Sequence, residues 1–199
     1  MTVNLADAIR FSQLMSRLQA IIRETRIVGR PGKENDVEHS YQLAMMAWYL
    51  NDAGEWGMNV DRLIRYAMVH DLAEAYAGDV HIFHPDHPGK GIAEAEALRR
   101  IAGEFPEFPG MTEIVHQYEL QEDAESQTVY ALDKLMPMIM IYLEGGSTWR
   151  ELGFEMEKLL TNKTERIARS PQVFRLHQEL SQLIRQRPEL FTDATSISE

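Results

Sequence analysis

The chain has no cysteine, which excludes a disulfide framework and any thiolate metal site. A metal, if there is one, must be held by His, Asp or Glu. No apolar run approaches the ~18 residues that span a bilayer, and no charged start leads into an apolar stretch as in a secretory leader. A cytoplasmic protein that stays off the membrane is the expectation. Positive charge is also scarce: 20 Lys and Arg against 31 Asp and Glu give a formal net charge of -11. A duplex would be repelled unless the basic side chains gathered on one face, so nucleic acid is not an expected partner. A small phosphorylated ligand remains open, since a few local cationic side chains and a cation suffice for it. Repeats, low-complexity segments, linkers and strand-like alternation are missing too. One compact all-α bundle over 1–199 is therefore expected, and a homodimer is compatible with it.

What is present centres on Val69-His70-Asp71-Leu72-Ala73-Glu74. Its flanks hold no Pro or Gly from Val60 to Ala77, and Leu63, Ala67, His70, Glu74 and Ala77 recur at helical spacing. On one continuous helix ending at Gly78, His70 and Glu74 share a face, and Asp71 is turned by about 100°. Such a pair also arises by chance at helix ends, so further ligands must be sought. Glu34-Asn35-Asp36-Val37-Glu38-His39 reads as a helix start in which Asn35 or Asp36 can cap, with Glu38 three residues after Asn35 as in a capping box. His39 then leads an apolar face of Leu43, Met46, Ala47 and Leu50; it is either a core histidine or a second ligand. Ala124 to Leu143 reads as the long central helix, with Asp133 in a stripe of Val129, Leu132, Met136 and Met140. An unpaired carboxylate there costs several kcal/mol, so Asp133 should be neutral, paired or bound to a cation.

Leu5 to Glu24 reads as an amphipathic helix. Arg23 to Lys33 is the most basic stretch, broken by Gly29-Arg30-Pro31-Gly32, and is either a solvated loop or a phosphate clamp supplied by Arg23 or Arg26. Lys134 is a further phosphate candidate or a solvated lysine. His81, His84 and His87 lie among prolines and read as a lid or surface loop rather than a second metal site. Gly91 to Glu104 and Met111 to Leu120 read as helices, as do Thr148 to about Arg169 and Pro171 to about Arg187. A polar tail follows from Pro188.

Two imidazoles and two carboxylates, His39, His70-Asp71 and Asp133, suit a six-coordinate divalent ion, with Mn, Fe, Co or Ni favoured and Mg or Zn allowed. The order H…HD…D resembles the HD phosphohydrolase superfamily. Val37-Glu38-His39-Ser40, His70-Asp71-Leu72-Ala73-Glu74, Gly78-Asp79 and Tyr130-Ala131-Leu132-Asp133-Lys134-Leu135 are similar to stretches of the bacterial 5'-deoxynucleotidases and their relatives, over about residues 10 to 145. The resemblance implies a helical HD domain with His39, His70, Asp71 and Asp133 as ligands of one metal. It also implies Glu74 as acid/base and Asp79 as an acidic residue lining the substrate site. The activity implied is hydrolysis of nucleoside 5'-monophosphates, with a triphosphohydrolase releasing tripolyphosphate or a non-catalytic nucleotide sensor as alternatives. The deoxynucleotidases carry an Arg-Trp pair before the first histidine, the Trp lying against the sugar. Here Arg23-Glu24-Thr25-Arg26 stands in that region without a Trp, which puts the preference for deoxyribose in doubt.

Overall fold

Two asparagines start the first two helices by the same device. Asn4 accepts from the backbone N–H groups of Ala6 and Asp7, and Asp7 accepts in return from the Asn4 N–H, opening α1 (Leu5–Gln19). The computed structural model describes residues 3–78 and 89–191. In it α1 stops five residues short of the expected Glu24, and residues 22–26 turn extended instead. β1 (Ile22–Arg26) pairs with β2 (Lys33–Asn35), and the turn between them is closed by the Ile27 N–H donating to the Gly32 carbonyl at 3.1 Å. No strand is expected from Ile-Arg-Glu-Thr-Arg, which lacks apolar alternation. The turn supplies the pairing, because Gly29 and Gly32 take φ of +83 and +110 at no steric cost. Among the described residues this hairpin is the only sheet, and the all-α class stands.

The chain divides into two units: residues 1–23 with 35–122, and residues 24–34 with 123–199. In the first, Asn35 caps α2 (Asp36–Ala53) through the expected capping box with Glu38. Asn59 caps α3 (Val60–Val69), and α4 (Glu74–Ala77), α5 (Lys90–Glu104) and α6 (Pro109–Leu120) follow. α2 packs on α1 and α3, α4 on α1 and α5, and α3 on α6. Leu14, Leu18, Leu72, Ile101, Phe105, Met111 and Val115 form an apolar core, each large side chain contributing roughly 1.5–3 kcal/mol on burial. Phe11 meets Phe105 edge-on at 5.5 Å.

The second unit is built on α7 (Ala124–Leu143), capped by Asp123 and running through Pro137 with the bounds expected. α8 (Ser147–Glu151), α9 (Met156–Ile167) and α10 (Pro171–Arg185) pack against it, and a 3-10 turn spans Pro188–Leu190. The expected helix from Thr148 to Arg169 is thus two helices, interrupted at Gly153 with φ +65. Gly146, at φ +78, must be glycine, since a Cβ there would lie 2.4 Å from the Leu190 carbonyl oxygen. Trp149 stacks on Phe191 at 4.9 Å and closes this end of the unit. No helix among the described residues is long and apolar enough to cross a membrane.

Candidate metal centre

His39 occupies the first turn of α2, on its buried face, and is 1% exposed. His70 and Asp71 do not continue α3. The Leu72 N–H donates to the Val69 carbonyl, Glu74 to Asp71, Ala75 to Leu72 and Tyr76 to Ala73, all three residues back. This tight turn replaces the single helix read from the sequence and changes which side chains align. At three residues per turn, positions i and i+3 eclipse, so Glu74 lies with Asp71 rather than with His70. Asp36, Asp71 and Glu74 accordingly offer carboxylate oxygens within 4.8 Å of one another, and His39, His70 and Asp71 bring ligand atoms together within the same distance.

The backbone sets the histidine's orientation. His70 Nδ1 lies 2.9 Å from the Ala67 carbonyl, which can only accept, so Nδ1 is the donor and in the neutral ring Nε2 carries the lone pair. Nε2 is 2.9 Å from Asp71 Oδ2. Two acceptors at that distance repel unless a cation or proton lies between them. The His39 and His70 rings stand 5.3 Å apart, with Tyr118 edge-on to His70 at 6.4 Å. This donor set of imidazole nitrogens and carboxylate, from fully buried His39 to partly buried Asp71, fits a divalent ion.

Charges around the set are paired. Arg23 Nη1 donates to Asp71 Oδ2 at 2.7 Å and to Asp36 Oδ1 at 3.1 Å. Asp36 is almost wholly buried, and burial, then the Asp71 charge, push its carboxyl above the usual range while Arg23 pulls it back. Glu74 is 3% exposed and accepts from Lys90 Nζ at 2.9 Å. Asp36 and Lys90 were not singled out in the sequence. Asp36 stands three positions before His39, a spacing that puts both on one helix face, but it reads there as a cap. Lys90 has no local signal, since its partner is 16 residues away.

In the second unit Asp133 is buried and paired with Lys134 Nζ at 2.6 Å, one of the outcomes required of a carboxylate in that stripe. Arg26 makes a two-oxygen contact with Glu151 at 2.7 and 2.8 Å on the surface. Asp79 and the His81, His84 and His87 segment lie outside the described residues.

The family model described as HD domain matches residues 15–174. The chain belongs to the HD domain family. This HD domain is 33% identical over 132 residues to the human 5'-deoxynucleotidase HDDC2, covering 63% of this chain and 62% of the human protein. The 5'-deoxynucleotidase HDDC2 of Xenopus laevis is 31% identical over 146 residues, 68% of each protein. A solved structure, the predicted metal-dependent phosphohydrolase of Magnetospirillum magnetotacticum MS-1, superimposes with a TM-score of 0.79 at 27% identity, covering 94% of this chain and 98% of that one. The HD domain thus spans about 62% of the length of the human relative.

Proposed function

We propose that this HD domain is a metal-dependent phosphohydrolase that converts (deoxy)nucleoside 5'-monophosphates to nucleoside and phosphate. The observation that carries the reading is the convergence of His70 Nε2 and Asp71 Oδ2, 2.9 Å apart, with buried His39, a donor set that suits a divalent cation. The relatives named 5'-deoxynucleotidase support the substrate class. His39, His70 and Asp71 hold one divalent ion in this proposal, and the order H…HD…D supports Asp133 of α7 as the fourth ligand. Manganese, iron, cobalt or nickel suit such a set best, with magnesium or zinc allowed. The family match from residue 15 to 174 draws on both units, which supports a single functional domain.

A divalent ion held by these residues would supply Lewis acidity toward the phosphoryl oxygens and the attacking water. Glu74 is the acid/base: its carboxylate takes a proton from the attacking water, or its carboxylic acid form gives one to the departing nucleoside oxygen. Lys90 fixes Glu74 Oε1 by a charge-assisted hydrogen bond. Arg23, through its 2.7 Å bond, orients Asp71. Arg23, Arg26 and Lys134 are the cations proposed for the substrate phosphate. Each meets a carboxylate, so phosphate must compete with Asp71 and Asp36, Glu151 or Asp133 respectively. Asp79, by its place after Gly78, is proposed to line the substrate site.

The test is a panel of purified protein with several divalent ions against nucleoside mono- and triphosphates, with phosphate and tripolyphosphate both quantified. Phosphate from monophosphates is the expected product. Tripolyphosphate would replace this reading with a triphosphohydrolase. Binding without turnover under every metal would replace it with a nucleotide sensor.

A further inference from the structure

α9 and α10 leave a groove of about 430 Å³ between them, lined on α10 by Phe174, His177, Gln178, Gln182 and Arg185 and on α9 by Leu160, Thr161 and Thr164. That size falls in the range of small-molecule pockets, ~300–1,000 Å³. His177 is 3% exposed, and neither of its ring nitrogens has a hydrogen-bond partner among the described residues. A polar group so buried costs stability unless something meets it. The proposed chemistry at His39, His70 and Asp71 makes no use of this histidine.

The lining states what would meet it. Burial, reinforced by the Arg185 charge, holds the His177 imidazole below its ordinary pKa, so the ring is neutral near pH 7. A neutral imidazole offers one donor and one acceptor. Ser181 and Thr164 spend their hydroxyl protons on the His177 and Leu160 carbonyls and present only lone pairs. The Gln178 and Gln182 amides offer both donor and acceptor at the exposed rim. Among the described residues no carboxylate lines the groove, and Arg185, the one charged residue there, is held through Nε and Nη2 by Glu157 at 3.0 and 3.1 Å. A charged ligand would therefore lose its hydration without gaining an unopposed counter-charge. Phe174 and His177 place near-parallel rings on one wall, 6.2 Å between centroids and 20° apart, which favours a flat guest.

We propose that the groove between α9 and α10 is a second small-molecule site, in which His177 reads the donor and acceptor edge of an uncharged heteroaromatic ring of the nucleobase or nucleoside class. The site uses residues of α9 and α10 alone and does not depend on the metal reading.

Adenosine, cytidine and thymidine, each titrated calorimetrically into the full chain, test it. At least one should bind with one-to-one stoichiometry. The binding should persist in His70→Ala and weaken by about tenfold or more in His177→Phe, which keeps a ring and removes both nitrogens. Thr161→Trp, an exposed rim substitution that fills the groove without touching the core, should weaken it likewise and guards against misfolding of the His177 variant. The proposal is overturned if none of the three binds to the limit of solubility, or if Thr161→Trp leaves binding intact. It is also overturned if binding vanishes in His70→Ala, which would place the nucleoside at the metal centre.

Discussion

Arg23 and Arg26 stand three residues apart in one short strand and meet carboxylates in opposite surroundings. Arg23, with 15% of its side chain exposed, joins Asp36 at 1% and Asp71 at 17%. Arg26, at 37%, meets Glu151 at 54%. An exposed pair is screened by water and salt and holds little in place. A buried set fixes positions, because each charge left without its partner is costly to keep. The same residue type therefore orients a candidate ligand at position 23 and makes an exposed, screened pair at position 26. Burial, not basic character, separates them.

The largest effect that would break this comparison lies at Glu74, the buried carboxylate grouped with Asp36 and Asp71. Glu74→Gln should lower turnover by roughly two to four powers of ten, the usual worth of a positioned acid/base, with metal content unchanged. Metal and rate measured on one preparation decide it: near-normal turnover at full metal removes the acid/base role, and lost metal makes Glu74 a ligand.

Next comes Arg23→Ala, which strips the buried carboxylates of their cation and should cost about 3 kcal/mol of stability in urea unfolding. The loss should grow with pH. Asp36 has a raised carboxyl pKa in the folded chain, so the folded state holds its proton longer than the unfolded one, and stability falls as pH climbs from about 4 through the folded value. Removing Arg23 raises that value further and deepens the fall. Equal destabilisation at pH 4 and pH 7 would contradict the placement of Arg23 beside Asp36.

A smaller effect is expected at His177. Its lowered folded pKa means that the unfolded chain binds the proton first, so its contribution is full above about pH 6.5 and is lost as pH falls below it. His177→Phe should flatten the thermal midpoint between pH 7.5 and pH 5.5 relative to wild type; an unchanged slope would contradict it. Arg26→Ala should leave the midpoint where it is, and a clear drop would show that the surface pair with Glu151 matters more than its exposure allows.

Local chemistry was legible where neighbours in sequence settle it. The Asn35 capping box, the bounds of α7 and the burial of His39 and Asp133 all follow from a few adjacent residues. Features set by distant partners were not. The tight turn at His70-Asp71 has no Gly or Pro to mark it, so the helical period runs on to Gly78 in the sequence and the grouping of Glu74 with Asp71 and Asp36 leaves no signal. The hairpin draws its pairing from turn glycines, while its strand residues carry charge where apolar alternation would have announced them. Arg23 shows only its basic neighbourhood in the sequence, because its partners, Asp36 and Asp71, come 13 and 48 residues later.

The central claim is that His39, His70 and Asp71 form a metal centre, and elemental analysis tests it most directly. Wild type, His70→Ala and Asp71→Ala, purified in parallel without chelator, would be measured for divalent metal per chain, with circular dichroism confirming that each is folded. The account predicts about one ion per chain in wild type, in keeping with a single set of two imidazoles and a carboxylate, and little or none in either variant. Full occupancy in folded Asp71→Ala, or a wild type that takes up no metal from any divalent salt, would contradict it.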